Sequence, residues 1–108
     1  MKRQMVFSAL AVMLAAGASA AHAWNPERGK ELSAVCAACH GADGTSPVPD
    51  FPNIGGQYEK YLYRALLDYK LGNRKNPIMA AQVEALSRAD MRDLAAYYAS
   101  QEGLYLKR

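Results

Sequence analysis

The sequence predicts an all-α fold: three to five short helices and one long loop rich in Gly and Pro. Three observations carry this. Apolar and aromatic residues between Tyr58 and Tyr69 recur with the spacing of a helical stripe. Helix start and stop signals recur along the chain, at Asn25, Gly72 and Ser87. No segment alternates apolar and polar residues as a half-buried strand does.

The first 24 residues, "MKRQMVFSALAVMLAAGASAAHAW", place Lys2 and Arg3 before an apolar run and then small residues, the layout of a secretory signal peptide. The run is well short of the ~20 apolar residues that span a bilayer. Ala21-His22-Ala23 fits the small-x-small cleavage rule, so residues 1–23 are expected to leave and residues 24–108 to form one domain; Ala18-Ser19-Ala20 fits the rule too. A domain of that size has a thin core and usually needs a staple. The 13 Lys and Arg against 10 Asp and Glu give a formal charge of +3, and Lys2 and Arg3 carry two of those charges. The remaining domain lacks the basic stripe of a nucleic-acid binder.

Asn25-Pro26-Glu27 reads as a helix start, with an Asn cap, Pro where its missing N–H costs nothing and an acid at the positive end of the dipole. This helix is expected to run to about Ala38. In "GADGTSPVPDFPNIGG", residues 41–56, the Gly and Pro content rules out regular structure, and loops of that length usually wrap something functional. From Gln57 to Leu71 a helix is expected, with Tyr58, Tyr61, Leu62, Ala65, Leu66 and Tyr69 on one face and Glu59, Lys60, Arg64, Asp68 and Lys70 in solvent; Gly72 stops it. "NRKNP" is a loop, and Ile78 to Leu86 a short helix. Ser87-Arg88-Ala89-Asp90 resembles a capping box, opening a last helix with Met91, Leu94, Ala95 and Tyr98 on one face and an end near Gly103.

The motif that points to chemistry is "VCAACHG", residues 35–41. A thiol-exchange pair sits at a helix start after a strand, whereas this pair falls at a helix end in a chain without strands. A structural zinc needs four ligands, and beyond Cys36, Cys39 and His40 the only further Cys or His is His22, in the leader. Cys-x-x-Cys-His is the attachment sequence of c-type haem. On one helical turn two thiols can reach the two vinyl groups of one porphyrin, and the adjacent imidazole can turn under the ring to the iron. Cys36 and Cys39 therefore read as thioether anchors of one haem c and His40 as the proximal iron ligand, while the small Ala37 and Ala38 let the ring edge approach. A distal ligand would come from Met79 or Met91. Met91 lies on the apolar stripe of the last helix, where core packing is the default. Met79, just past Asn76-Pro77, lies outside the strong stripes, and a loop there could swing its sulfur to the iron. A Met79 that merely fills core space is the competing reading.

With these residues placed, the chain resembles a class I cytochrome c, and specifically one haem domain of the cytochrome c4 and c553 group. The likeness runs through "GKELSAVCAACHGADG", "PDFPNIGGQ", "YLYRALLDYKLGNRKNPIM" and "LSRADMRDLAAYYASQ", in that order. It implies the small class I fold wrapped around one covalently attached haem, with first and last helices crossing. It also implies that His40 and Met79 are the axial ligands and that the Pro52 carbonyl accepts a hydrogen bond from His40 Nδ1–H; the alternative for Pro52 is a plain loop former. Arg74 is a candidate for a haem propionate, against the simpler reading of a solvated surface Arg. The chain departs from cytochromes c4 in having one haem motif where they have two.

The functional expectation is a periplasmic carrier of single electrons in a Gram-negative bacterium, with a filled sixth iron position and no enzymatic activity. Its partners would be a redox donor and acceptor, membrane-bound oxidases or reductases among them. No nucleic acid and no integral membrane segment after leader removal are expected, and a homodimer is left open. The alternatives are a haem-bearing subunit or docking module of a larger respiratory complex, and a haem enzyme or sensor with a labile Met ligand. No distal acid–base His follows His40 to support the last.

Overall fold

Asn25 starts the first helix as expected. In the computed structural model, which describes residues 24–103, its Oδ1 accepts from the N–H groups of Glu27 and Arg28 at 3.0 and 3.2 Å and opens α1 (Pro26–Leu32). The expected leader, residues 1–23, lies outside the described residues.

The single helix expected to run to about Ala38 is instead two. Ser33 Oγ donates to the Lys30 carbonyl at 2.7 Å, a local bond that competes with the helical ladder and ends α1 there. The chain re-enters helix as α2 (Ala34–His40), which closes at Gly41 with φ 79°. The whole Cys-x-x-Cys-His thus rides on its own short helix.

The long loop over residues 41–56 is held by its own backbone: the Gly44 carbonyl accepts from Ile54 and Gly55 at 2.8 and 3.0 Å, and Gly56 N–H donates to the Tyr98 carbonyl at 2.9 Å. Gly44 has φ 81°, and a Cβ on it would stand 2.3 Å from the Gly55 nitrogen, so only glycine fits this crossing. Helix α3 (Glu59–Leu71) starts two residues later than expected and ends at Gly72 in the left-handed conformation, φ 79°. Helix α4 (Pro77–Val83) is shorter than the expected Ile78–Leu86, because the chain turns at Val83, whose carbonyl accepts from Leu86 N–H at 3.0 Å. Helix α5 (Arg88–Ala99) opens with a complete capping box, Asp90 N–H on Ser87 Oγ at 3.0 Å and Ser87 N–H on Asp90 Oδ2 at 2.9 Å. It stops before the expected Gly103.

These five helices and the absence of strands among the described residues are the predicted all-α class. Leu62, Leu94, Ala95, Tyr97 and Tyr98 form the core cluster. Helix α1 crosses α5 so closely that a Cβ on Gly29 would lie 1.9 Å from the Asp93 carbonyl oxygen. The crossing is clasped by Asp93, 2% exposed, which accepts from Asn25 N–H and from Arg28 Nη1, each at 2.9 Å; Arg28 also reaches Asp90 at 2.6 Å. A carboxylate is tolerated at this depth because both its oxygens are satisfied, one by a cation.

Candidate functional site

With α1 and α5 clasped, α2, α3, α4 and the loop around Pro52 enclose a cavity of about 620 Å³, within the usual range for a bound organic cofactor. The stripe on α3 faces it: Tyr61, Leu62, Ala65, Leu66 and Tyr69 all contribute to the wall. Tyr58, expected on the same stripe, is 45% exposed and outside the cavity. Leu94, Ala95 and Tyr98 of α5 form the back.

Four sequence-predicted site residues, Cys36, Cys39, His40 and Met79, line this one cavity, and Pro52 lines it too. His40 is buried, 7% exposed, with Nδ1 2.8 Å from the Pro52 carbonyl oxygen. A carbonyl can only accept, so Nδ1 carries the proton and Nε2 keeps a free lone pair, the state in which imidazole binds a metal. Met79 comes from α4, half-buried, its N–H held by Asn76 Oδ1 at 3.1 Å. Met91 is fully buried and absent from the wall, which places it in the core. Arg74 joins the rim, its guanidinium 4.9 Å from the Tyr69 ring centre.

Cys36 lacks the lowered thiol of a redox catalyst. Burial pushes the Cys36 thiol up, the neighbouring Cys39 adds to this, and a hydrogen bond to its own backbone N–H only partly opposes them. Thiol-exchange sites work through a lowered thiol. The two cysteines are not joined to each other. Nor does the protein form a metal cage of its own: among the described residues no group of three or more His, Cys, Asp or Glu could hold an ion. The donors instead suit a planar macrocycle that brings four ligands to its iron. Two thiols lie within a helical turn, and one imidazole nitrogen and one thioether complete the set.

The back wall adds a feature the sequence did not single out. Tyr98 is 3% exposed and its hydroxyl has no hydrogen-bond partner; Ser33 stands nearby but outside bonding geometry, its Oγ given to Lys30. Burial, and then Cys36, push this phenol up. An orphaned hydroxyl in a protein interior costs about 1–3 kcal/mol, and one on a cavity wall fits a site shaped around a bound group. The sequence pattern marks Tyr98 only as an apolar stripe position, because the stripe does not reveal where the ring ends.

Comparison with known proteins bears on the family and the fold. The family model for cytochrome c matches residues 26–102. A cytochrome c4 of Pseudomonas aeruginosa is 49% identical over 74 residues, covering 68% of this chain and 37% of that protein. Cytochrome c-554(548) of Halomonas halodenitrificans is 40% identical over 77 residues, covering 68% of this chain and 93% of the relative. The crystal structure of reduced recombinant cytochrome c4 from Pseudomonas stutzeri superposes with a TM-score of 0.72 at 43% identity, covering 76% of this chain and 48% of that one. The chain spans less than half the length of the cytochrome c4 relatives it matches.

Proposed function

This chain belongs to the cytochrome c family, and from that premise we propose that it is an exported, periplasmic electron carrier with one haem c, attached through Cys36 and Cys39 and ligated by His40 and Met79. Residues 1–23 serve as its cleaved leader. The observation that carries the reading is the meeting of Cys36, Cys39 and His40 on α2 with Met79 on α4 around one cavity.

Haem c supplies a one-electron ferric/ferrous couple. The protein's part is to tune and shield that couple. The Pro52 carbonyl fixes the His40 tautomer and makes the imidazole a stronger donor. On the iron, the Met79 thioether would favour the ferrous state relative to a second nitrogen ligand and so raise the potential. With His40 and Met79 both holding the iron, no position on it would be left for substrate, and the chemistry the group would supply is outer-sphere transfer from a donor protein to an acceptor, with no bond made or broken. Val35, Tyr61 and Ile78, 63%, 51% and 57% exposed, form an apolar rim where the cavity opens. A small apolar rim suits short-lived redox contacts.

The test is the absorption spectrum of the exported protein, followed for the weak near-infrared band of Met sulfur on ferric haem. The band is expected in the parent and absent in Met79→Ala. A haem-loaded parent without the band overturns the His/Met assignment.

A further inference from the structure

Helix α4 brings Met79 to the cavity, yet it is too short to hold its own position. Its seven residues are far below the length at which an isolated helix persists in water, and among them only Val83 is buried. Its start is fixed by Asn76, whose Oδ1 accepts from Ile78 and Met79 N–H at 3.0 and 3.1 Å. Its far end is fixed from another helix. The carbonyls of Glu84 and Leu86, just beyond the last turn, both accept from Lys70 Nζ, at 2.8 and 2.6 Å. Lys70 lies in the last turn of α3, 14 and 16 residues earlier in the chain.

One ammonium thus ties the wall of the cavity to the segment leaving α4. Glu84 is the C-cap of α4, where carbonyls have no intrahelical partner and a cation satisfies them and the negative end of the dipole together, while the Leu86 bond holds the chain beyond it. No carboxylate pairs with Lys70 among the described ion pairs, so the tether is aimed at backbone alone.

We propose that Lys70 is a positioning residue for the distal ligand: by pinning the C-terminal end of the Met79 segment to α3, it sets how often Met79 leaves the iron. The inference rests on Met79 being that ligand. Displacement of a distal Met by a small external ligand requires its segment to open locally, and local opening is governed by the few bonds that hold the segment rather than by global stability. The Lys70 bonds are such bonds.

The test uses the haem-loaded ferric protein and imidazole as the entering ligand. In Lys70→Gln the rate of imidazole binding at saturating imidazole, where opening limits it, should rise at least about tenfold, the factor for the loss of one charge-assisted bond. Lys70→Arg, which keeps donors and charge, should stay near the parent. Lys60→Gln, the same charge change at the opposite end of α3, should leave the rate unchanged. A Lys70→Gln rate equal to the parent's overturns the tether, as does a Lys70→Arg as fast as the Gln variant. Amide exchange supplies a second readout: it should quicken over residues 78–83 and stay constant at Leu94, and uniform quickening would show a merely global effect. Failure of the underlying reading looks different, since the parent would then lack the Met–iron band and Met79→Ala would bind imidazole as the parent does.

Discussion

Replacing Gly29 by Ala probes the contact on which the architecture depends. The new Cβ would lie 1.9 Å from the Asp93 carbonyl oxygen, 2.6 Å from its carbon and 2.8 Å from Tyr97 Cβ, where ordinary contact begins near 3.4 Å. The two nearest atoms are backbone of α5, so no side chain can swing aside, and α1 must withdraw by roughly 1.5 Å, the difference between 3.4 and 1.9 Å. Overpacking of this kind costs about 1–3 kcal/mol or more. Withdrawal also stretches the bonds from Asn25 N–H and Arg28 to Asp93, both 2.9 Å; the Asn25 bond to the buried carboxylate contributes about 1.5–3 kcal/mol, and part of that is lost. Against this, Ala is the better helix former by about 1 kcal/mol. The net expectation is a loss of about 2–4 kcal/mol, which in a domain of this size lowers the melting temperature by roughly 8–32 °C. Thermal melting of the haem-loaded protein by far-UV circular dichroism is the assay. A variant that melts at or above the parent would show helix propensity acting without a clash, and the close crossing would be wrong.

Other expectations follow from single sites. Leu94→Ala, at a side chain 1% exposed, should cost about 2–5 kcal/mol in chemical denaturation; a loss under 1 kcal/mol would mean the site collapses freely. Asp90 is held below its ordinary carboxylate range, chiefly by the Ser87 N–H and then by Arg28. Its ionised form therefore adds stability above the unfolded value of about 3.9, and this is lost as pH falls through the lower folded value. Asp90→Asn should accordingly destabilise by about 0.5–1 kcal/mol at pH 7, and the gap should close as pH drops below about 4; a pH-independent gap would refute the charge argument. The double variant Cys36→Ala, Cys39→Ala, unable to attach haem, should lose most of its helix signal, since Tyr61, Leu62, Ala65, Leu66 and Tyr69 of the α3 stripe all line the cavity. Full native helicity without haem would show that the polypeptide completes its own core.

What the sequence revealed and what it hid divide along physical lines. The caps at Asn25, Gly72 and Ser87 were legible because each is a bond between near neighbours in the chain. Cys36, Cys39 and His40 of the candidate site could be singled out for the same reason, since their spacing is itself the signal. Ser33 was not, because a serine in a helix is compatible both with continuing it and with back-bonding to Lys30, and only packing chooses. Asp93 and Lys70 were harder still. A sequence pattern would set both in solvent, yet Asp93 is buried by partners more than 60 residues away and Lys70 is bonded to carbonyls on a separate segment. Long-range satisfaction of a charge leaves no local trace.

The clasp of α1 on α5 has a consequence in time. Its partners, Asn25 and Arg28 on one side and Asp93 on the other, stand 68 and 65 residues apart. A chain delivered from its N-terminus at about 5–20 residues per second presents the first of them several seconds before the last. Throughout that interval α1 has nothing to cross, the back wall of Leu94, Ala95 and Tyr98 does not yet exist, and Cys36 and Cys39 lie on an open strand of polypeptide. Chemistry that must reach both thiols would meet them on an open chain during that interval; once α5 docks, it would meet them in a cavity backed by Leu94, Ala95 and Tyr98.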